Sequence, residues 1–315
     1  MSSVFTDPIP FTCDETYNSF TEILKYAGTV LYLGVGLVLH ILLLRSVLIT
    51  EKSSLKDSSF FQIHVMDSTA SILSIVCDIF FQRLVMYVPP LCTIVGPLFW
   101  EPSYICKAVY LILNHARFSK SVSQIFMVLN RMSCVLNPVG YNQVWKKALP
   151  VVRALIIILP FGGTWNVWIS RVFAIEQYGG FALSYKRNVQ WAALSLFQSV
   201  YILTALAFTV ICTLITLYKM LVLPERIKVA ERSLCFTSMF ISITFLLVAA
   251  TQILWQTCCA SELLFSIQLL AFDSFTVGSA VIVITVNKQL RSCISPWRAP
   301  QRTTTNAILV SVAPS

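Results

Sequence analysis

Apolar residues come in long runs along this chain, each close to the ~20 residues that an α-helix needs to cross a bilayer. The runs fall at 26–49, 60–82, 103–131, 149–169, 189–217, 233–256 and 262–286. They predict an all-α, polytopic membrane protein: a seven-transmembrane-helix bundle over 26–286, an N-terminal tail at 1–25 and a C-terminal tail at 287–315. Seven crossings place the termini on opposite sides. The fourth run is interrupted by Pro160 and Gly162-Gly163, which a spanning helix tolerates when its neighbours satisfy the freed backbone groups.

Polar residues inside these runs keep helical spacing. The second run carries His64, Asp67, Ser71, Ser74 and Asp78, at steps of 3, 4, 3 and 4, so they share one face. The third carries Lys107, Tyr110, Asn114, Arg117, Ser121, Gln124 and Arg131 on one stripe, with Lys120 on the adjoining row. The seventh contributes Asp273. Charges at membrane depth are expensive and face the bundle interior. A rise of ~1.5 Å per residue puts Arg117 ~21 Å from Arg131, with Asp273 at a similar depth. The expected pairs are Arg117 with Asp273, Lys120 with Asp67, and Asp78 with Lys107. Two readings of them stand side by side. The pairs fix helix register, or some contact a ligand and form a switch.

Composition agrees with a membrane protein. Of 315 residues 57% are hydrophobic and 12% charged, and the mean hydropathy is +0.75; a soluble domain has roughly a quarter charged residues. A net charge of +9 would suit nucleic acid, but the placement of the charges points to topology. With the N-terminus outside, fifteen of the 23 Lys and Arg fall in inner segments and five in outer ones, which is the positive-inside bias. The partner this implies is the lipid bilayer, not nucleic acid. Trp165, Trp168, Trp191 and Trp255 fall near outer ends and Trp145 near an inner one. Residues 1–22 have no basic start or apolar run, so the first helix must direct insertion itself.

Ten cysteines are present. Cys13, Cys92, Cys106, Cys258 and Cys259 lie on the outer, oxidising side, where disulfides are permitted. The second outer loop, 170–188, contains none. Cys92 with Cys106 is the preferred bridge, pinning the first outer loop to the third helix. Cys293 in the tail is a palmitoylation candidate, and Leu290, Ile294 and Trp297 suit one side of a short surface helix. No Cys/His group has metal-site spacing, no cofactor is indicated, and no enzyme motif is found. An ion-coupled small-molecule transporter is the alternative reading, since intramembrane Asp and Lys suit one. It lacks the paired broken helices of an inverted repeat.

The segment that carries most information closes the third helix. It reads Phe126-Met127-Val128-Leu129-Asn130-Arg131-Met132-Ser133-Cys134-Val135-Leu136-Asn137-Pro138, followed by Tyr141 and Trp145-Lys146. With seven helices and short loops, it resembles the nematode serpentine receptors of class gamma. This chain has Ser133 where a Thr is usual, and Asn137 where an aromatic often precedes the proline. The resemblance implies a chemosensory receptor in the plasma membrane, in cilia of chemosensory neurons. Its small-molecule ligand would enter among the helices, and it would signal to a heterotrimeric G protein. Asp67, Asp78, Lys107, Arg117, Lys120 and Asp273 would form the interior polar network. Asn130, Arg131, Lys146 and Lys147 would face the G protein, with Lys219, Lys228 and Arg232 nearby. The positive-inside rule alone also accounts for that basic surface. Because Asn130 is not an acid, Arg131 lacks a carboxylate neighbour in sequence, and its resting state must be held otherwise.

Overall fold

Among the described residues, seven helices of 25 to 33 residues make up the bundle. In the computed structural model of the chain the described residues are 12–14, 16–49, 57–100, 104–222, 225–257, 261–287, 290–291 and 294. The long helices are α1 (Ser19–Leu48), α2 (Ser59–Tyr87), α4 (Tyr104–Leu136), α5 (Tyr141–Ile169), α6 (Leu194–Val222), α7 (Glu225–Thr257) and α8 (Glu262–Val286). Two elements were not foreseen: a short helix, α3 (Pro90–Trp100), and a β-hairpin of β1 (Arg171–Gln177) and β2 (Gly180–Lys186). By length and composition α1, α2, α5, most of α6, and α8 are each apolar enough to cross a membrane. α4 is interrupted by Lys107, Arg117, Lys120 and Arg131, and in α7 the apolar stretch among the described residues is Met239–Leu254.

Local chemistry sets several helix starts. Asn18 caps α1 by accepting from the Phe20 and Thr21 N–H groups at 3.0 and 3.5 Å. Ser261 caps α8 through the Leu264 N–H at 3.2 Å. Such caps satisfy donors that the first helical turn leaves orphaned. α5 starts at Tyr141, ahead of the expected 149, and runs through Pro150 and Pro160. Pro160 has no N–H to give the Ile156 carbonyl. Ser119 of α4 donates to that carbonyl instead, at 3.2 Å.

α4 is the middle of the bundle, packing on α2, α5 and α6, while α1, α2, α6, α7 and α8 close around it. Small residues allow close approaches: Gly36 of α1 faces Val277 of α8, and Gly163 of α5 faces the Phe118 ring of α4. Outward surfaces are apolar, with Leu31, Leu214 and Ile243 exposed. His64, Asp67, Lys120, Gln124 and Asp273 are buried inside. This inversion suits a protein whose solvent is lipid. His40 of α1 ties three helices, its Nδ1 lying 3.1 Å from Ser68 Oγ on α2 and its Nε2 3.0 Å from the Thr276 carbonyl on α8.

One break in regular geometry matters for the site. Within α2, residues Asp78–Arg83 form a π-helical turn, in which the Leu84 N–H reaches back to the Ile79 carbonyl. The wider turn shifts the phase of every later side chain, and such turns are frequent at functional sites.

Candidate functional site

The hairpin roofs one end of the bundle. Its turn is Tyr178-Gly179, with φ of 55° and 74°, the paired positive values that suit the twist of a two-residue hairpin. A positive φ is uncommon for a tyrosine, and here tertiary contacts hold it. The Tyr178 ring is buried beside Tyr17, Tyr87 and Phe265. Its hydroxyl donates to the Glu262 carbonyl at 2.7 Å and lies 2.9 Å from Ser266 Oγ. Gly180 comes next, and a Cβ there would run into the backbone of Val85 and Met86. Phe181 and Ala174 pack with Val85 and with the Cys13–Cys92 disulfide, whose Cα atoms are 6.0 Å apart. Tyr17 donates to Glu262 at 2.7 Å, and that bond pushes the Tyr17 hydroxyl pKa up to about 12. Asp14 is held below the usual carboxylate range by hydrogen bonds from Thr16.

Under this roof lies a cavity of about 810 Å³, within the range of small-molecule sites. Its roof includes Glu176, Leu183 and Tyr185 of the hairpin. Its walls include Gln198 of α6, Gln252 of α7, and Gln268 and Phe272 of α8. Tyr110, Asn114 and Arg117 of α4 also line it. The Gln252 and Gln268 amides hydrogen-bond to each other. The lining therefore mixes aromatic surface with a few hydrogen-bonding groups, as orientation-specific binding requires.

The expected charge network sits at and below the cavity floor. Lys120 donates to Asp67 at 3.2 Å and to Ser71 Oγ at 2.5 Å, the pairing expected from sequence. The other two pairs are corrected. Arg117 pairs with Asp78 at 2.9 Å and also reaches Gln82 at 3.2 Å. Asp273 pairs with Arg83 at 2.7 Å and accepts from the Tyr32 hydroxyl. Arg117 and Asp273 do line one small void with Asp78 and Lys120, but each takes a different partner. The reason is the π turn. It begins at Asp78 and ends at Arg83, and both side chains are buried in the bundle. Sequence spacing had placed Arg83 in an outer segment. Lys107 is half-buried and makes no ion pair among the described residues. It stands ten residues before Arg117, roughly 15 Å along the helix, too far from the level of Asp78.

The bridge is also corrected. Cys92 pairs with Cys13, and Cys106 is buried outside that bridge. Cys106 packs with Phe118, Val167, Val172 and Leu194, on a different cluster from Cys92.

At the opposite end, Asn130 turns away from the basic surface. It donates to Ser59 Oγ at 2.8 Å and accepts from the Tyr141 hydroxyl at 2.9 Å, while Ser59 and Tyr141 lie 2.8 Å apart. Three polar groups from α4, α2 and α5 thus close a triangle. Trp145 adds a hydrogen bond to Ser133 Oγ at 2.6 Å. Arg131 has its guanidinium over the Phe60 ring. Lys146, Lys147 and Lys219 are exposed. The side chains of Arg226, Lys228, Arg232 and Trp255 lie outside the described residues, as do Cys258, Cys259, Cys293 and Trp297; Leu290 and Ile294 pack against the core at the Arg131 end. Sequence reasoning missed Tyr32, Arg83, Phe60 and the hairpin. Only the hairpin had a signal: two runs rich in Val, Ile, Phe and Tyr around a Tyr-Gly turn.

Comparison with known proteins gives one consistent result. The Srg family chemoreceptor profile matches residues 26–294. Serpentine receptor class gamma-15 of Caenorhabditis elegans is 52% identical over 303 residues, covering 95% of each chain. Serpentine receptor class gamma-16 of the same organism is 48% identical over 285 residues, covering 90% of this chain and 88% of its own. Serpentine receptor class gamma-17 is 50% identical over 282 residues, with 89% and 88% covered.

Proposed function

The chain belongs to the Srg family of chemoreceptors, and from that premise we propose that it binds a small chemical cue in the roofed cavity and signals to a heterotrimeric G protein at the Arg131 end. The observation that carries this reading is the polarity of the bundle. One end holds a cavity of about 810 Å³, and the other presents Arg131, Lys146, Lys147 and Lys219 around the ends of α4, α5 and α6. The orientation is N-terminus outside and C-terminus in the cytoplasm, on the distribution of Lys and Arg. The protein is multi-pass, and its place is the plasma membrane, in the cilia of chemosensory neurons. Within residues 26–286 the seven helices act as one receptor domain, with 1–25 and 287–315 as its tails.

The mechanism is a population shift. A cue that fits one helix arrangement better than another moves the equilibrium by its differential affinity. Arg117 links the cavity to the network below, because it lines the cavity and bonds Asp78. Arg117, Lys120 and Arg83 are each engaged by an acid, while the cavity lining itself sets Arg187 beside Glu176 and aromatic surface, a mixed lining that suits a small amphipathic cue.

The first test is a tagged copy at native expression in the animal that encodes it. Concentration in chemosensory cilia, with a cue response that Arg131→Ala abolishes, is the expected result. Exclusion from cilia, or uptake of labelled solute driven by an ion gradient, would overturn the receptor reading in favour of transport.

A further inference from the structure

A second concavity lies outside the bundle axis, between α2, α4 and α5. It encloses about 650 Å³ and is lined by Ala70 and Leu73 of α2, Ile112 and His115 of α4, and Ile157 and Phe161 of α5, among others. Its walls are apolar almost throughout, and Leu73, Ile112, Ile157 and Phe161 are exposed on the outer surface of the bundle. His115 is the exception. Its ring packs against Phe161 at 4.6 Å between centroids. Its Nδ1 is buried with no hydrogen-bond partner among the described residues. His115 lies five residues from the midpoint of α4, so roughly 7.5 Å from the centre along the axis, well inside a hydrocarbon core ~30 Å thick. The hydroxyls nearby are engaged elsewhere. Thr69 donates to the Val65 carbonyl, Thr164 to the Pro160 carbonyl, and Ser119 to the Ile156 carbonyl.

An imidazole in hydrocarbon with nothing to bond is costly. Alkyl chains of the bilayer would cover the apolar walls, but they offer the ring no polar atom. With Nδ1 shut in and bare, the favoured tautomer carries its proton on Nε2, leaving one N–H donor for an occupant. We propose that this groove binds a lipophilic alcohol dissolved in the bilayer, whose chain lies along α2 and α5 and whose single oxygen accepts from His115. The site is separate from the roofed cavity, on the other face of α4, and it is reached sideways through the membrane.

The test uses the full chain purified into phosphatidylcholine nanodiscs. It is photolabelled with a diazirine-bearing fourteen-carbon alcohol and, separately, with the diazirine-bearing alkane of the same length. Peptide mapping should show saturable labelling of α2, α4 and α5 by the alcohol, about tenfold above the alkane. His115→Phe should bring the alcohol down to the alkane level. Leu73→Trp, which fills the groove from its lipid-facing wall, should remove labelling by both probes without lowering the unfolding temperature. Equal, non-saturable labelling by the two probes would mean ordinary annular lipid and overturn the proposal. So would alcohol labelling that survives both substitutions.

Discussion

The guanidinium of Arg131 lies 3.6 Å from the centroid of the Phe60 ring. Phe60 in turn stacks on His64, parallel to within 1° at 6.1 Å between centroids, and His64 Nδ1 stands 4.0 Å from Asp67. An aromatic face on α2 thus packs against the arginine, whose preceding residue in sequence is Asn130 and not an acid. The attraction between a cation and an aromatic face is worth about 1 kcal/mol in a partly exposed setting.

Phe60→Leu should therefore release Arg131 and raise ligand-independent signalling by about fivefold, the factor that 1 kcal/mol gives a two-state equilibrium. Phe60→Trp, which keeps an aromatic face, should hold the basal level. Nucleotide exchange on a co-reconstituted G protein reads both. An unchanged basal rate in Phe60→Leu would reject the latch.

The Arg83–Asp273 pair should dominate stability among the charged groups. Asp273→Asn leaves Arg83 buried against a neutral partner, and breaking a buried pair costs about 3–5 kcal/mol. The double variant Arg83→Met with Asp273→Leu should recover most of that loss. Lys107→Met, at a position with no ion pair among the described residues, should stay within about 0.5 kcal/mol. Unfolding of the purified protein in detergent separates the three.

Disulfide mapping gives a binary outcome. A peptide containing Cys13 linked to one containing Cys92 is expected, with Cys106 alkylated only after unfolding. Cys13→Ser should lower stability by about 4.5 kcal/mol at most, since the bridge spans a sequence separation of 79 and longer loops gain more from closure. Recovery of a Cys92–Cys106 peptide would contradict the structure.

Gly180→Ala should unseat the hairpin. The added carbon meets the backbone of Val85 and Met86, which cannot rotate away, and overpacking of this kind costs about 1–3 kcal/mol. Loss of the seat should speed exchange of a cavity-bound cue while leaving the Arg131 end intact. An unaltered dissociation rate would show that the roof does not gate the cavity.

Much of this was legible in the residue pattern, and the exceptions have physical causes. Asp67 and Lys120 sit on regular stretches of α2 and α4, so helical periodicity brought them together correctly. Arg83 closes the π turn, where that periodicity no longer holds, and Asp273 was consequently given the wrong partner. Cys13 precedes every helix, and no spacing rule says where a tail returns. The triangle of Asn130, Ser59 and Tyr141 depends on how three helix ends converge, which hydropathy does not encode. The hairpin hid because its strands are short and lie between two membrane runs.

The pairing of Lys120 with Asp67, and of Arg117 with Asp78, also constrains how the chain is made. A charged side chain near the middle of a membrane segment costs roughly 2.5–3.5 kcal/mol on insertion. α4 carries two such charges close to its midpoint and α2 carries their counterions. α2 is apolar enough to span by length and composition, but alone it would carry two unpaired acids into the lipid, and α4 alone two unpaired bases. Insertion of α2 and α4 together neutralises both pairs, which insertion of either helix alone does not. Asp273 faces the same problem near the end of translation, and its remedy, Arg83, has by then long been waiting.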